Sequence, residues 1–474
     1  MRKGIEHFFK LKELNTNIRT EVIAGLTTFL TMAYIIFVQP AVMSGSMFGM
    51  NTGMDFRAVT AATCIAAAIA TAVMALYANY PIAVAPGMGE NFFFVFSIIP
   101  AALAAGFSNA WQVALGVVFV AGVLFYVLYL FGIREMIFDA ISPSMKNGIA
   151  AGIGLFIAFI GLQNAGLILK SPDTAVKMNP HFASPDLIVF FFGILFTAIL
   201  HIRKVRGSIL WGILGTAAFA CLLRILLPLL PAAISGSRVV SESMLLTRFA
   251  IARKIISAPP SLAPTFFKMD IVHALSFAMW PFIIMHLFMD VFDTIGTLIG
   301  VGEQAGLMKG NKLPRARQAM FSDQTGTLVG AMLGTGTVTS YIESAAGVEE
   351  GGRTGLTSLT VALLFLLALF FSPLIAMVGS YAPITAPALI LVGAMMMRNV
   401  SKIAWNDYSE AIPAFLTLIG IPLSYSIADG LALGFISYPV VKLFSGRRKD
   451  LTWLSYVLAA ALIFYFVFLK SRLS

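Results

Sequence analysis

Two glycine- and proline-interrupted apolar segments, one in each half of the chain, constrain the fold more than any other feature of this sequence. The first runs from Pro81 to Phe93 and contains Ala-Pro-Gly-Met-Gly-Glu-Asn; the second runs from Gly334 to Gly347 and contains Gly-Thr-Val-Thr-Ser-Tyr-Ile-Glu. A bilayer tolerates irregular backbone only where protein buries it or where it lines a cavity. Since paired interruptions mark the binding site of many membrane proteins, we expect the two segments to meet at mid-membrane and to hold something polar.

The composition indicates a membrane protein. Of 474 residues, 59% are hydrophobic and 11% are charged, whereas about a quarter of the residues in a soluble domain are charged. The net charge of +10 would suit nucleic acid, but the basic residues lie in short loops beside apolar spans, where they set topology and contact lipid headgroups. We therefore expect a multi-pass protein of the cell membrane (plasma or bacterial inner membrane) with no nucleic-acid partner.

The sequence contains no motif of an enzyme, a cofactor site or a metal site. It has no Walker loop, no dinucleotide fingerprint and no His-Glu-x-x-His. Cys64 and Cys221 lie within apolar segments, so we expect them to pack as small hydrophobic side chains rather than to form a disulfide or bind a metal. Because the sequence has no nucleotide-binding loop, an ion gradient is the expected source of energy for any work that the protein does across the membrane.

The hydropathy pattern predicts an all-α membrane protein with about fourteen spans. The spans divide into two sets of seven around a long polar loop at 231–270. An odd number per set gives the two sets opposite orientations, which is the inverted-repeat architecture. The predicted spans are 21–43, 58–80, 81–99 (broken), 109–131, 145–166, 184–201, 207–230, 271–302, 315–333, 334–350 (broken), 353–379, 382–398, 411–427 and 428–444, and a further apolar helix is predicted at 452–470.

The distribution of basic residues predicts the orientation of the chain. Five of them precede the first span, namely Arg2, Lys3, Lys10, Lys12 and Arg19, whereas the loops 100–108 and 380–384 on the opposite side hold no Lys or Arg. Because cytoplasmic loops carry the excess of Lys and Arg, we expect the N-terminus to lie in the cytoplasm.

Ionisable side chains in the eighth span are the strongest candidates for function. His286, Asp290, Asp293, Thr294 and Thr297 recur at three- and four-residue spacing and therefore share one face of a helix. Since carboxylates inside a membrane are costly and usually functional, we expect this face to point into the protein. The alternative is a helix end at which the two aspartates face water or cap neighbouring backbone.

The two interrupted segments supply the other candidates. Glu343 precedes a half-helix, whose N-terminus presents free amide groups and the positive end of a dipole; the alternative is a capping box with Thr339 or Ser340. Asn91 occupies the matching place in the first half, where its amide suits the edge of a heterocycle or closes the break. Phe94 is a candidate for stacking on a planar ligand, with packing as its alternative.

Motifs along nearly the whole chain resemble one known family. They include Ala85-Pro-Gly-Met-Gly89 followed by Asn91, Asp290-Val-Phe-Asp-Thr-Ile-Gly-Thr297, and Thr337-Val-Thr-Ser-Tyr-Ile-Glu-Ser-Ala-Ala-Gly347. Stretches 24–38, 351–355, 387–393 and 412–417 extend the match. Together they resemble the AzgA-like purine permeases of the nucleobase–cation symporters, which are related to uracil and ascorbate transporters. Three positions depart from the family pattern, namely Gln39, Glu90 and Gly336.

The resemblance implies a fold and a mechanism. It implies a 7+7 inverted repeat, with a first repeat at 21–230 and a second at 271–444. Each repeat would contribute to a core domain and a gate domain, with the core at 21–131 and 271–379 and the gate at 145–230 and 382–444. The implied activity is proton-coupled import of adenine, guanine or hypoxanthine by elevator-type alternating access. Homologous folds often dimerise through the gate, so a homodimer is one expected assembly.

The resemblance also carries over the polar positions of the family. These positions are Asn91, Asp290, Asp293 and Glu343. With Phe94 and Thr337 added from the interrupted segments themselves, substrate contacts are expected at Asn91, Phe94, Asp290, Thr337 and Glu343, and no metal or cofactor is expected besides the coupling proton. The candidates for proton coupling are Asp290, Asp293 and Glu343. In this hypothesis Asp290 and Glu343 touch the substrate, and Asp293 takes part in coupling or braces the half-helices.

Two other functions stay open at this point. One is a carrier of uracil or xanthine, and the other is an anion transporter or exchanger on the same fold. Half-helix dipoles with few carboxylates suit an anion, so two or three acids at the site count against that alternative. A membrane-embedded enzyme would need a nucleophile–base pair or a metal-binding constellation, and the sequence offers neither.

Overall fold

Helices account for most of the described chain. The computed structural model describes residues 2–130, 142–172, 174–229, 231, 236–308 and 313–464. In the first half the α-helices are Arg2–Phe8, Ile18–Met32, Ile35–Met43, Phe56–Val73, Met88–Phe93, Ile99–Ala104, Ala110–Leu130, Pro143–Asn164, Pro185–Ile202 and Ser208–Leu226. After these come Arg238–Ser241, Met244–Thr247, Ile271–Ala274, Trp280–Gln304, Ala316–Leu333, Ser344–Glu349, Gly355–Ala368, Ser372–Gly379, Ala382–Met396, Tyr408–Ser424, Ile427–Phe444 and Trp453–Phe464.

Shorter elements complete the helical structure. Two π-helical turns, Met74–Ala78 and Phe94–Ile98, continue the helices before them, so that Met88–Ala104 forms one apolar helix. Wider turns of this kind occur often at functional sites. The 3₁₀ turns are Ser46–Phe48, Leu227–Leu229, Leu369–Phe371, Met397–Lys402 and Arg448–Asp450.

Four short strands in the described residues form two antiparallel pairs. They are β1 (Val84–Pro86), β2 (Ile168–Ser171), β3 (Ala175–Met178) and β4 (Val338–Ser340). β2 and β3 form a hairpin after the helix Pro143–Asn164, which the sequence analysis did not predict. β1 pairs with β4 and so joins the two halves of the chain.

Ten helices of the described chain are long and apolar enough to cross a membrane. They span Ile18–Met43, Phe56–Ala78, Ala110–Leu128, Pro143–Asn164, Pro185–Ile202, Ser208–Leu229, Trp280–Gly302, Gly355–Gly379, Ala382–Lys402 and Ile427–Phe444, with Met88–Ala104 and Tyr408–Ser424 as shorter apolar helices. The helix Ala316–Leu333, which carries Arg317, Asp323 and Gln324, is not among them. The chain is a multi-pass membrane protein, and the fourteen-span layout stays a prediction.

The helix of the eighth predicted span begins at Trp280 rather than at residue 271. Residues Ile271–Ala274 form a separate turn, and the Asp270 side chain accepts a hydrogen bond from the His273 amide at 3.0 Å. Pro281 lies in the first turn of the long helix. A proline is tolerated there but removes a hydrogen bond from a helix interior, so this position favours a helix that starts at Trp280 over one that runs from residue 271.

Helix packing divides the described spans into two groups. The first surrounds the interrupted segments and contains the helices within 18–43, 56–78, 110–130, 280–304, 316–333 and 355–368. The second contains the helices within 143–164, 185–202, 208–226, 382–396, 408–424 and 427–444. We call these groups the core and the gate. The division into core and gate domains that the resemblance implies, with its repeat bounds, stays a prediction.

The ends of three predicted regions lie outside the described residues. These are residue 131 of the core, residue 230 of the gate and residues 465–470 of the C-terminal helix. The described part of that helix, Trp453–Phe464, packs on the gate helix Ile427–Phe444.

Glycine allows gate helices to touch through their backbones. At Gly154 an added Cβ would lie 3.0 Å from the Gly393 carbonyl oxygen, and at Gly393 it would collide with the Gly154 carbonyl oxygen. Small residues are the usual means of close helix packing in lipid, where no hydrophobic effect drives helices together. The gate is therefore held partly by backbone contact.

Candidate functional site

The two interrupted segments meet in the core through their backbones. The antiparallel register pairs Val84 with Ser340, Ala85 with Thr339 and Pro86 with Val338. At one end the Gly87 amide donates to the Thr337 carbonyl oxygen at 3.0 Å, and at the other the Tyr341 amide donates to the Ala83 carbonyl oxygen at 2.9 Å. Each half thus supplies hydrogen-bond partners that the other needs in a medium without water.

A short helix follows each strand. The first half-helix, Met88–Phe93, starts after Gly87, and the second half-helix, Ser344–Glu349, starts after Glu343. The first amides of a helix lack partners within it and carry partial positive charge. The first half-helix therefore presents free donors beside the paired strands, whereas in the second half-helix the amides of residues 344–346 already donate to the carbonyl oxygens of residues 341–343.

Asn91 fastens the first half-helix to the second interrupted segment. Its Oδ1 accepts a hydrogen bond from the Thr337 amide at 3.1 Å, and its Nδ2 donates to the Thr337 carbonyl oxygen at 3.1 Å. Gly336 permits this contact, because its φ is +79° and a Cβ there would collide with Asn91 Oδ1. The sequence left two roles open for Asn91, which were binding the edge of a heterocycle and closing the break. The observed geometry fits the second role.

Glu343 is half-buried, and its carboxylate contacts a tyrosine from the first span. The Tyr34 hydroxyl donates to Glu343 Oε1 at 2.9 Å. The capping-box alternative does not hold, because Thr339 and Ser340 direct their hydroxyls to Asp323 instead. Sequence reasoning missed Tyr34, and the available signal was a polar hydroxyl in the middle of an apolar span.

Asp290 and Asp293 have different surroundings although they lie on one helix, Trp280–Gln304, which we call the acidic helix. The side chain of Asp290 is 1% exposed and accepts a hydrogen bond from Gln324 Nε2 at 3.0 Å on one oxygen. Its other oxygen has no partner among the described residues. Asp290 thus lies behind the strands, away from solvent.

Asp293 is exposed to solvent-accessible space. It interacts electrostatically with Glu90, Asp323 and Glu343, so the space that it faces borders both interrupted segments. We call this space the recess. On the helix face that was expected to point into the protein, Asp290 is buried and Asp293 is exposed. This placement favours Asp293 over Asp290 as a residue that a ligand can reach.

Asp323 braces β4 from the helix Ala316–Leu333. Its carboxylate accepts hydrogen bonds from the Ser340 amide at 2.6 Å, from the Ser340 hydroxyl, and from the Thr294 hydroxyl at 2.6 Å. The side chain is fully buried. A carboxylate that accepts this many bonds holds three elements in fixed positions, namely β4, the acidic helix and the helix Ala316–Leu333, which we call the bracing helix.

Glu90, whose direction the sequence could not assign, points toward the site. It is 4% exposed, and its Oε2 stands where a Cβ of Gly87 would be. It interacts electrostatically with Asp290 and Asp323. The signal was its place as the third residue of a half-helix, since a glutamate there folds back over the helix start.

His286 links the acidic helix to both interrupted segments. Its Nε2 lies 2.7 Å from the Thr337 hydroxyl oxygen, and its ring stacks on Phe93 with centroids 6.2 Å apart. Its Nδ1 has no partner among the described residues. His286 is thus a packed residue that also contacts the break.

Phe94 is fully buried, and no aromatic partner of its ring is found among the described residues. Its neighbours Phe92 and Phe96 stack at 5.9 Å and both lie against Phe156 of the gate. Phe96 and Phe156 also meet Tyr425, at 5.5 and 5.3 Å. Phe92 and Phe96 of the aromatic run therefore lie at the contact between core and gate, and stacking of Phe94 on a planar ligand stays a prediction.

Comparison with known proteins decides the family. Residues 19–433 match a sequence profile described as the Permease family. The chain belongs to this permease family. The permease is 44% identical over 468 residues to the guanine/hypoxanthine permease PbuG of Bacillus subtilis, covering 98% of this chain and 99% of that one. It is 38% identical over 469 residues to the adenine permease AdeP of Escherichia coli, covering 99% and 97% of the two chains.

Solved structures share the fold at low identity. The transmembrane domain of the cyanobacterial bicarbonate transporter BicA superposes with a TM-score of 0.58 at 13% identity, covering 88% of this chain and 97% of that one. The likeness concerns the fold alone. With the family established, the AzgA-like resemblance of the sequence motifs is confirmed, and the permease is a membrane transporter rather than an enzyme.

Proposed function

We propose that the permease imports a purine nucleobase, namely guanine, hypoxanthine or adenine, together with a proton. The names of two relatives that match along their whole length support the substrate class. The observation that carries the proposal is a pair of carboxylates, Asp293 and Glu343, at a solvent-accessible recess beside two half-helix N-termini.

The chemistry of a purine fits this pair. A purine presents N–H donors and ring-nitrogen or carbonyl acceptors on one flat edge. In the proposal Asp293 and Glu343 accept hydrogen bonds from the donors, and free amides of the first half-helix donate to the acceptors. Because both polar atoms of the Asn91 side chain already bind Thr337, we assign Asn91 to holding the break rather than to the base.

The coupling proton is assigned to Asp290. Its carboxylate is buried, and one of its oxygens lacks a partner among the described residues. Burying an ionised carboxylate without full hydrogen bonding is costly, and a bound proton removes that cost. The proton and the base then occupy neighbouring places, and the core moves past the gate with both bound.

The site is tested by uptake of radiolabelled guanine, hypoxanthine and adenine in bacterial cells without purine permeases of their own. We expect uptake of at least one purine, and a loss of tenfold or more in Asp293→Asn and Glu343→Gln. Glu242→Gln, a surface substitution that also removes one carboxylate, is the matched control. Normal uptake by both site variants would refute the assignment.

Proton coupling needs a separate measurement. In proteoliposomes an inwardly directed proton gradient is expected to accumulate the purine above its external concentration, and a protonophore is expected to abolish accumulation. Asp290→Asn is expected to exchange purine across the membrane yet fail to accumulate it, because the variant cannot gain or release the proton. Accumulation that ignores the protonophore contradicts the proton as coupling ion.

An anion is a poorer substrate for this site than a purine. The fold is shared with a bicarbonate transporter, and free half-helix amides attract anions. Here, however, Glu90, Asp293 and Glu343 lie about those amides, and like charges repel. The acids therefore favour a ligand rich in N–H donors.

A further inference from the structure

A groove on the gate lies apart from the recess between the interrupted segments. It runs along the helices Pro185–Ile202 and Ser208–Leu226 and has a volume of about 460 Å³. Its lining is formed by Phe196, Leu200, Val205, Trp211, Leu214 and Gly215. None of these side chains carries a charge, and we call this feature the gate groove.

The surface beside the gate groove is apolar and exposed. Leu195, Ile199 and Ile202, on the same helix as Phe196, are 62%, 51% and 78% exposed. In a soluble protein such a surface would be a liability, whereas on a membrane-spanning helix it is the face that contacts acyl chains. The gate groove therefore opens toward the hydrocarbon of the bilayer.

One end of the gate groove lies at the basic turn between its two helices. The Val205 amide donates to the Leu200 carbonyl oxygen at 2.9 Å, so the turn holds Arg203 and Lys204 between two residues of the lining. Both side chains are exposed, and neither has an ion-pair or hydrogen-bond partner among the described residues. Arg206, by contrast, pairs with Glu350 of the core. Two cations thus remain free at the end of an apolar groove.

Trp211 indicates the depth of this end in the membrane. It is 48% exposed and lies in the first turn of the helix Ser208–Leu226. Tryptophan side chains collect at the level of the lipid headgroups. The basic turn therefore lies at the height of the phosphates, and the gate groove extends from it toward the acyl chains.

We propose that the gate groove binds an anionic phospholipid, with an acyl chain against Phe196 and Leu214 and the headgroup phosphate at Arg203 and Lys204. Basic pockets between membrane helices bind anionic headgroups, and the volume is that of a ligand pocket. A zwitterionic lipid fits the same lining but gains less from two unpaired cations. Because the site lies on the gate, the proposal does not depend on the identity of the transported solute.

The test is native mass spectrometry of the detergent-purified protein, titrated with phosphatidylglycerol, phosphatidylcholine or glycerol 3-phosphate. We expect phosphatidylglycerol to bind more tightly than phosphatidylcholine, and glycerol 3-phosphate, which has the phosphate without acyl chains, to show no binding. In the double variant with Arg203→Gln and Lys204→Gln, the affinity for phosphatidylglycerol is expected to fall about twentyfold, since each basic residue near an anionic lipid contributes roughly fivefold.

Two further variants separate the site from general surface charge. The double variant with Arg448→Gln and Lys449→Gln removes the same charge from another exposed turn of the chain, and it is expected to keep the affinity for phosphatidylglycerol. Leu214→Trp places a larger side chain in the gate groove and keeps both cations of the basic turn. We expect this variant to lose the preference for phosphatidylglycerol over glycerol 3-phosphate.

Three results would overturn the proposal. Equal losses in the two double variants would mean that the lipid responds to total charge only. Equal affinity of the unsubstituted protein for phosphatidylglycerol and phosphatidylcholine would contradict the site without any substitution. A second copy of this chain is the other candidate occupant, and a dimer that Leu214→Trp converts to a monomer, with phosphatidylglycerol binding unchanged, would assign the gate groove to dimerisation instead.

Discussion

At the scale of single residues, the substitution of aspartate by asparagine is expected to lower stability at one position and uptake at another. Asp323 is buried and accepts hydrogen bonds from Ser340 and Thr294, whereas Asp293 is exposed in the recess. Asp323→Asn loses charge-assisted bonds and is expected to cost about 2 kcal/mol of stability. The measurement is the apparent melting temperature in detergent, followed by size-exclusion fluorescence.

Asp293→Asn is the control for that prediction. We expect it to leave the melting temperature unchanged while it abolishes uptake. Equal melting temperatures for Asp323→Asn and the unsubstituted protein would contradict the bracing role of Asp323.

The hydrogen bond from Tyr34 to Glu343 is the second residue-scale prediction. Tyr34→Phe keeps the buried ring and removes one donor from a carboxylate proposed to hold the base. We expect the KM for the purine to rise about tenfold, since a hydrogen bond to a charged group is worth roughly 1.5–3 kcal/mol, with a smaller change in maximal uptake. Tyr425→Phe, which removes a hydroxyl bonded to Gln163 in the gate, is the matched control, and equal KM values in the two variants would count against the prediction.

The sequence allowed the acids to be identified but not their roles. Asp290 and Asp293 are three residues apart and share a helix face by spacing alone, yet one is buried and the other exposed. That difference depends on where β4 and the bracing helix lie, which no local pattern reports. The contact from Tyr34 to Glu343 likewise depends on a partner in a distant segment, whereas the back-folding of Glu90 follows a local pattern at the helix start.

At the scale of elements, Gly336 lets the two interrupted segments lock together. Gly336→Ala combines a left-handed φ of +79° with a collision against Asn91 Oδ1, so we expect loss of uptake and a lower melting temperature. Gly106→Ala has a similar φ of +88° with no atom within 4 Å of the new Cβ. The Gly106→Ala variant therefore has only the conformational strain of the left-handed φ, about 1 kcal/mol, and is expected to retain uptake.

The contrast between these variants separates strain from the lost clamp. Similar damage in both would mean that the left-handed conformation, and not the contact with Asn91, is what matters at residue 336.

The interrupted segments were predictable as elements because closely spaced glycines and prolines disfavour a continuous helix. Their pairing as β1 and β4 follows from the need to satisfy exposed backbone in lipid. The start of the acidic helix at Trp280 and the hairpin of β2 and β3 were not predicted, since hydropathy alone does not register a proline at a helix start or a short polar hairpin.

At the scale of the whole molecule, one loop of the gate rests on the core. Arg206 forms an ion pair with Glu350, which follows the second half-helix. At the neighbouring Gly207, an added Cβ would lie 2.7 Å from the Leu30 carbonyl oxygen. If the core moves past the gate during transport, this contact must break in each cycle.

Cross-linking across that contact tests the movement. In a chain with Cys64→Ala and Cys221→Ala, a bis-maleimide reagent joining Arg206→Cys to Glu350→Cys is expected to stop uptake. Each single cysteine variant with the same reagent is expected to stay active. Full uptake by the cross-linked protein would show that core and gate do not separate at this loop.

The joining of β1 to β4 has a consequence for how the nascent chain matures. The ribosome must add about 250 residues after Val84 before Val338 exists (338 − 84 = 254). Until then the amide and carbonyl groups of the first break enter the bilayer without their native partners, at a cost that lipid does not relieve. Insertion of the first half therefore yields an intermediate in which the first break is not yet hydrogen-bonded. A chain that terminates within 231–270 is expected to be recognised by membrane quality control and degraded.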